Sequence, residues 1–134
     1  MVDEAALLRA AAFRTALRRF LHRTESVAAQ AGLTAQRYDL LLMIHSAGEL
    51  RVSELCELLD LQQTAVTELL NRTEEAGLII RKPSTHDGRV RLLRLTREGE
   101  RRLIRVFAAL RDDRDALNDA FRELDRRFRA ASRR

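Results

Sequence analysis

The residues best placed to do chemistry lie in one stretch, LQQTAVTELLNRTEEAGLI, from Leu61 to Ile79. On a helix, Leu61, Ala65, Val66, Leu69 and Leu70 form an inward stripe and leave Gln63, Thr64, Thr67, Glu68, Asn71 and Arg72 on the other faces. These side chains match the edges of nucleic-acid bases. Gln63 and Asn71 can bond adenine through two contacts, Thr64 and Thr67 can touch phosphate or a thymine methyl, and Arg72 suits guanine or phosphate. A carboxylate at Glu68 either reads a cytosine amino group or repels phosphate. Just beyond, residues 78–97 hold Arg81, Lys82, Arg89, Arg91, Arg94 and Arg97 against a single acid, Asp87.

The charge balance of the whole chain points the same way. Its 134 residues carry a formal net charge of +5. Residues 1–62 have seven basic against eight acidic side chains, and residues 63–134 have 18 against 12. A one-sided basic surface concentrates polyanions, which makes nucleic acid the leading partner class, ahead of acidic lipid or an acidic protein. Other chemistries lack their residues. There is no phosphate-cradling glycine loop, nucleophile elbow or paired-carboxylate pocket, so no enzyme and no cofactor are expected. The single cysteine, Cys56, reads as a half-buried packing residue, and His22, His45 and His86 are too widely spaced for a metal site. His45, near Tyr38, Leu41 and Leu42, is expected to be a core or pocket-wall histidine, whereas His22 and His86 are expected in solvent.

Few glycines, one proline and an Ala, Leu, Arg and Glu-rich composition make the chain mainly α. Apolar spacing predicts a first helix over about 3–31, ended by Gly32. Thr34 should cap a second helix to about Ala47, apolar nearly all round and therefore buried. Leu50 to Val52 is expected to be extended, with Ser53 capping a brief helix through Leu59. A helix from about Gln62 to Ala76 follows, ended by Gly77. Leu78–Arg81 and Arg89–Leu95 read as the strands of a small β-hairpin with a long tip beginning at Lys82. Thr96 caps a helix with Leu103, Ile104, Phe107 and Leu110 on its apolar face; a bend is expected over 111–115, then a last helix with Leu117, Phe121, Leu124 and Phe128.

Two short helices with a tight connection, then a hairpin, describe a helix-turn-helix with a wing. The sequence resembles the MarR family of bacterial winged-helix transcription regulators in Leu61 to Ile79, Arg81, Asp87-Gly88-Arg89 and Leu95-Thr96. Glu74, Gly77, Leu78 and Arg81 fall on the family's Glu-x-x-Gly-Leu-x-x-Arg exit. The resemblance implies one domain over 1–134, with a winged helix-turn-helix lobe at about 34–96 and dimerisation helices at about 3–31 and 97–131. It implies a dimeric repressor on double-stranded DNA, contacting a palindromic operator through Gln63, Thr64, Thr67, Asn71, Arg72, Arg89 and Arg91, with Asp87 holding the wing tip. Relatives are often released by a small aromatic effector, whose pocket here would draw on Leu17, Tyr38, Leu41 and His45. Leu7, Leu8, Leu117, Phe121, Leu124 and Phe128 are the expected homodimer contacts, because a small winged lobe cannot cover both terminal helices. The alternative is a winged-helix module that binds protein partners without reading DNA. With no membrane-length apolar run and no leader-like start, the expected location is cytoplasmic, with no membrane partner.

Overall fold

A computed structural model describes residues 1–48, 50–83 and 91–134, apart from the side chains of Arg91, Phe128 and Ala131. Two helices open the chain, α1 (Glu4–Gln30) and α2 (Ala35–Ala47). Asp3 starts α1 by accepting from the Ala5 amide at 3.0 Å, and the Thr34 hydroxyl starts α2 by accepting from Arg37 N at 3.1 Å. In α2, Tyr38, Leu40, Leu41 and Ile44 are all buried, and the helix touches α1, α3, α5 and β2. It is the centre of the core, as its all-round apolar sequence required.

Helix α3 (Val52–Leu59) begins earlier than expected. Arg51, not Ser53, is its cap residue, and the Glu54 carboxylate closes that end by accepting the Arg51 amide at 3.3 Å. Val52 is thus helical rather than extended. The tight connection to α4 (Gln63–Glu75) turns at Asp60, whose left-handed φ of 53° lets Leu61 N return to Cys56 O at 3.0 Å. Helix α4 buries Val66, Leu70 and Thr73. Ala65, placed on the inward stripe by the sequence, is exposed, and Thr73 takes the buried position by donating its hydroxyl to Leu69 O at 2.6 Å.

Strands β1 (Ile79–Pro83) and β2 (Arg91–Leu95) pair antiparallel, with Ile79 opposite Leu95 and Pro83 opposite Arg91. Lys82 and Pro83, expected in the tip, extend β1 instead; a proline at the end of a two-stranded ribbon needs no ladder amide. Asp87, Gly88 and Arg89 lie outside the described residues.

Helices α5 (Arg97–Ala109) and α6 (Arg111–Ser132) complete the chain. The bend expected over 111–115 is absent: the chain turns at Leu110, and Arg111 opens α6. Asp112 and Asp113 fall in the first turn of α6, where carboxylates favour a helix start. On α5 the buried side chains are Leu103 and Val106, with Leu110 at its cap, while Ile104 and Phe107 are exposed. α6 runs antiparallel along α1, with the Phe13 and Phe121 ring centroids 5.1 Å apart and Arg23 Nε 3.5 Å from Asp113. Only the last turns of α1 enter the core, through Thr24, Val27 and Ala28.

Candidate nucleic-acid interface

Burying Val66, Leu70 and Thr73 fixes the rotation of α4 and leaves Gln63, Thr64, Thr67, Glu68, Asn71 and Arg72 exposed on its outer side. The first five of these residues, without Arg72, line a shallow concavity of about 410 Å³. Two polar ties organise the surface. Arg72 Nη2 lies 2.5 Å from Glu68 Oε1, one turn away on the same helix. Asn71 Oδ1 accepts from Arg81 Nη2 at 2.6 Å, and Arg81 Nε stands 3.4 Å from Glu74 Oε2. Arg81 therefore clips the first wing strand to the C-terminal half of α4. The sequence places Arg81 in the exit pattern, but its bond to Asn71 ten positions earlier emerges only when β1 turns back beside the helix.

The junction behind this surface is tight. Gly77, with φ +76°, reverses the chain after α4. Its carbonyl accepts the Thr96 hydroxyl at 2.6 Å, and the same hydroxyl oxygen accepts from Gly99 N at 3.0 Å, so one side chain caps α5 and holds the helix exit. Thr96 N donates to Leu78 O at 3.0 Å. A Cβ on Gly99 would overlap that same carbonyl oxygen, so only glycine permits α5 to start so close to the strand entry. Next to Gly99, Glu98 accepts from Arg101 Nη2 at 2.6 Å and Arg102 Nε at 2.8 Å, one turn further along α5. Those bonds, led by Arg101, pull its carboxyl down to about 2. Arg102 Nη1 also reaches Gly32 O at 3.5 Å, between α1 and α2.

Beside α4, the hairpin presents Lys82 and Arg94 as exposed cations, and Arg97 adds another at the start of α5. Arg89 and Asp87 lie outside the described residues, as does the side chain of Arg91, whose backbone pairs with Pro83. Of the four residues assigned to an effector pocket, Tyr38, Leu41 and His45 lie on α2 and Leu17 on α1. Tyr38 and Leu41 are core side chains at 5% and 0% exposure, Leu17 is half-buried on α1, and His45 is exposed rather than a core residue. His45 sits in the last turn of α2, past Ile44, the final buried position of that helix. Burial pushes the Tyr38 hydroxyl above its ordinary value, opposed by the charge of Arg114. Cys56 is half-buried against the core. Among the residues expected at a subunit interface, Leu7 and Leu8 are exposed, while Leu117, Phe121 and Leu124 are half-buried between α6 and its neighbours. The side chain of Phe128 lies outside the described residues. Among the described residues, no His, Cys, Asp and Glu cluster could hold a metal, and no helix is long and apolar enough to cross a membrane.

Comparison with known proteins agrees with this geometry. The model of the MarR family matches residues 31–90, which run from the end of α1 into the hairpin. The chain is 37% identical over 77 residues to the HTH-type transcriptional repressor MdtR of Bacillus subtilis, a match covering 58% of this chain and 50% of that protein. It is 34% identical over 95 residues to a putative transcriptional regulatory protein for the hcr operon of Thauera aromatica, covering 68% and 57%. Matches to these curated relatives thus span about half of their length. Wild-type MarR from E. coli, in its apo form, superposes with a TM-score of 0.72 at 19% identity, covering 98% of both chains. The helix-turn-helix, the paired wing and the two flanking helices are arranged as in that structure, and the match to the MarR family, over residues 31–90, lies on the winged lobe.

Proposed function

We propose that the chain is a DNA-binding transcriptional repressor acting as a two-fold homodimer, with α4 in the major groove and the hairpin along the flanking backbone. The observation that carries this reading is the outer face of α4: Gln63, Thr64, Thr67, Asn71 and Arg72 are exposed together on a rigid helix, beside a basic strand pair. A cysteine-to-serine mutant of E. coli MarR, complexed with operator DNA, has a TM-score of 0.71 to this chain at 20% identity, covering 88% of it, and supports that placement. Repression is carried over from the name of the B. subtilis relative. Two-fold protein symmetry calls for an imperfect palindrome whose half-sites lie about 10 base pairs apart.

Release by a small aromatic effector is not favoured. Tyr38 and Leu41 are packed into the core, so that of the four residues only Leu17, half-buried, and His45, exposed, offer surface to a ligand. The protein-module alternative is not favoured either, because the exposed face of α4 is polar rather than apolar. The test is a gel shift and footprint on the promoter region of the chain's own gene. A protected pair of inverted half-sites is expected, with affinity falling steeply as salt rises. Binding to a single unrepeated site, or no binding at low salt, rejects the reading.

A further inference from the structure

Glu68 stands at the middle of the outer face of α4, one turn after Thr64 and one turn before Arg72. It lines the same concavity as Gln63, Thr64, Thr67 and Asn71, and its carboxylate holds Arg72 at 2.5 Å, with the two side chains 61% and 67% exposed. An exposed ion pair of this kind adds little to helix stability. Its stabilising effect does not account for a negative charge at the centre of a surface facing a polyanion, where it opposes binding unless a specific donor meets it.

A carboxylate only accepts hydrogen bonds. Two donors face the major groove, the N4 amino group of cytosine and the N6 amino group of adenine. Adenine sets its N7 acceptor beside N6, an arrangement that repels a carboxylate and suits the amides of Gln63 and Asn71. Cytosine shows a donor alone, and its partner guanine offers O6 and N7 to a guanidinium. Glu68 and Arg72, already joined, carry the complementary acceptor and donor. Resting on the DNA-binding reading above, we propose that Glu68 is a specificity-determining residue. Its carboxylate selects cytosine at one position of each half-site by accepting from N4, while the Arg72 it holds donates to guanine. Away from such a site, the same carboxylate ties up Arg72 and repels phosphate, so binding to other sequences stays weak.

Selection of preferred sites from a random duplex pool, run with wild type, Glu68→Gln and Glu68→Ala, tests this. Glu75→Gln, near the end of α4, serves as a control of equal charge change. Both Glu68 variants should keep the wild-type far-ultraviolet circular dichroism, since the side chain is exposed. The wild type should enrich cytosine at one half-site position. Glu68→Gln should lose that preference by about 5- to 150-fold and shift it toward adenine, the range expected of one good base contact. Affinity for unrelated duplex should rise in both Glu68 variants, with the salt dependence steepening by up to about one phosphate contact as Arg72 is freed. The Glu75→Gln control should leave every base preference in place. Identical preferences in wild type and Glu68→Gln overturn the role of Glu68 while leaving the DNA-binding reading intact. A wild type that enriches no sequence at all overturns both.

Discussion

At the scale of single residues, the outer face of α4 divides into side chains that are free and side chains already held. Gln63, Thr64 and Thr67 are exposed, whereas Asn71 is bonded to Arg81 and Arg72 to Glu68. Asn71 uses its Oδ1 on Arg81, which leaves its amide donors directed to another acceptor and fixes the rotamer in advance. Gln63→Ala should therefore relax base choice through loss of a contact, by roughly 1–3 kcal/mol at one base pair. Arg81→Ala should weaken and blur recognition through loss of Asn71 positioning while unfolding stability changes by less than about 1 kcal/mol, because the ties of Arg81 are partly exposed. Urea unfolding beside competition binding on matched and mismatched duplexes checks both. If Arg81→Ala bound every duplex as the wild type does, the clip would have no part in recognition. That Gln63, Thr64, Thr67, Asn71 and Arg72 share an exposed face of this helix was legible in the sequence, because it depends on residue type and a 3.6-residue period. The clip was not, because the ten-residue separation of Asn71 and Arg81 closes only through the turn at Gly77 and the direction of β1.

At the scale of elements, the junction at Leu78, Thr96 and Gly99 sets how the recognition helix, the wing and α5 meet. Any side chain on Gly99 would collide with the Leu78 carbonyl, which is itself held by Thr96 N. Gly99→Ala should cost at least the roughly 1–3 kcal/mol typical of overpacking, and Glu100→Ala, exposed one residue on, should stay within about 0.5 kcal/mol. Thermal or urea unfolding of the two variants distinguishes a steric requirement from a helix-propensity effect, for which alanine would be the better residue. The ion cluster of α5 gives a pH signature. The carboxyl of Glu98 is depressed from 4.5 to about 2, so its contribution is present above pH 4.5 and is lost as pH falls toward 2. Glu98→Gln should flatten the acid loss of stability within that window, being less stable than wild type at neutral pH and converging with it as pH falls toward 2. An unchanged acid limb would remove Glu98 from the account. Element order was readable from periodicity and turn residues, yet three boundaries moved for local electrostatic or hydrogen-bonding reasons. Glu54 closes α3 ahead of Ser53, the acidic run after Leu110 starts a helix instead of bending the chain, and Pro83 ends a strand where no ladder amide is needed.

At the scale of the whole molecule, apolar surface remains where one chain has nothing to cover it. Leu7, Leu8 and Phe13 on α1 and Ile104 and Phe107 on α5 are all exposed, with Leu8 at 66% and Ile104 at 54%. Periodicity alone could not separate these positions from the core, because Leu103 and Ile104 are equally apolar and only the rotation of α5 against α2 decides which is buried. The same ambiguity affects Phe121, which packs on Phe13 within one chain. A charge at Phe121 would damage the protomer and its partner surface together, so it cannot test dimerisation cleanly. Leu8 is the better probe: it lines a groove of about 460 Å³ between the start of α1 and the end of α6, with Leu124 on the opposite wall. If a second copy fills this groove, Leu8→Glu places an unpaired carboxylate in the interface and should shift the protein from dimer to monomer at micromolar concentration. The isolated protomer should keep its helical content, since Leu8 is exposed in it. Operator affinity should then fall sharply, because two half-sites would no longer be bound as one event. Sedimentation velocity of wild type and Leu8→Glu, followed by binding to a full palindrome and to a single half-site, provides the measurement. A dimeric wild type, a monomeric variant and a large loss on the palindrome with little change on the half-site are the expected outcome, whereas a wild type that sediments as a monomer would show that a second copy does not fill this groove.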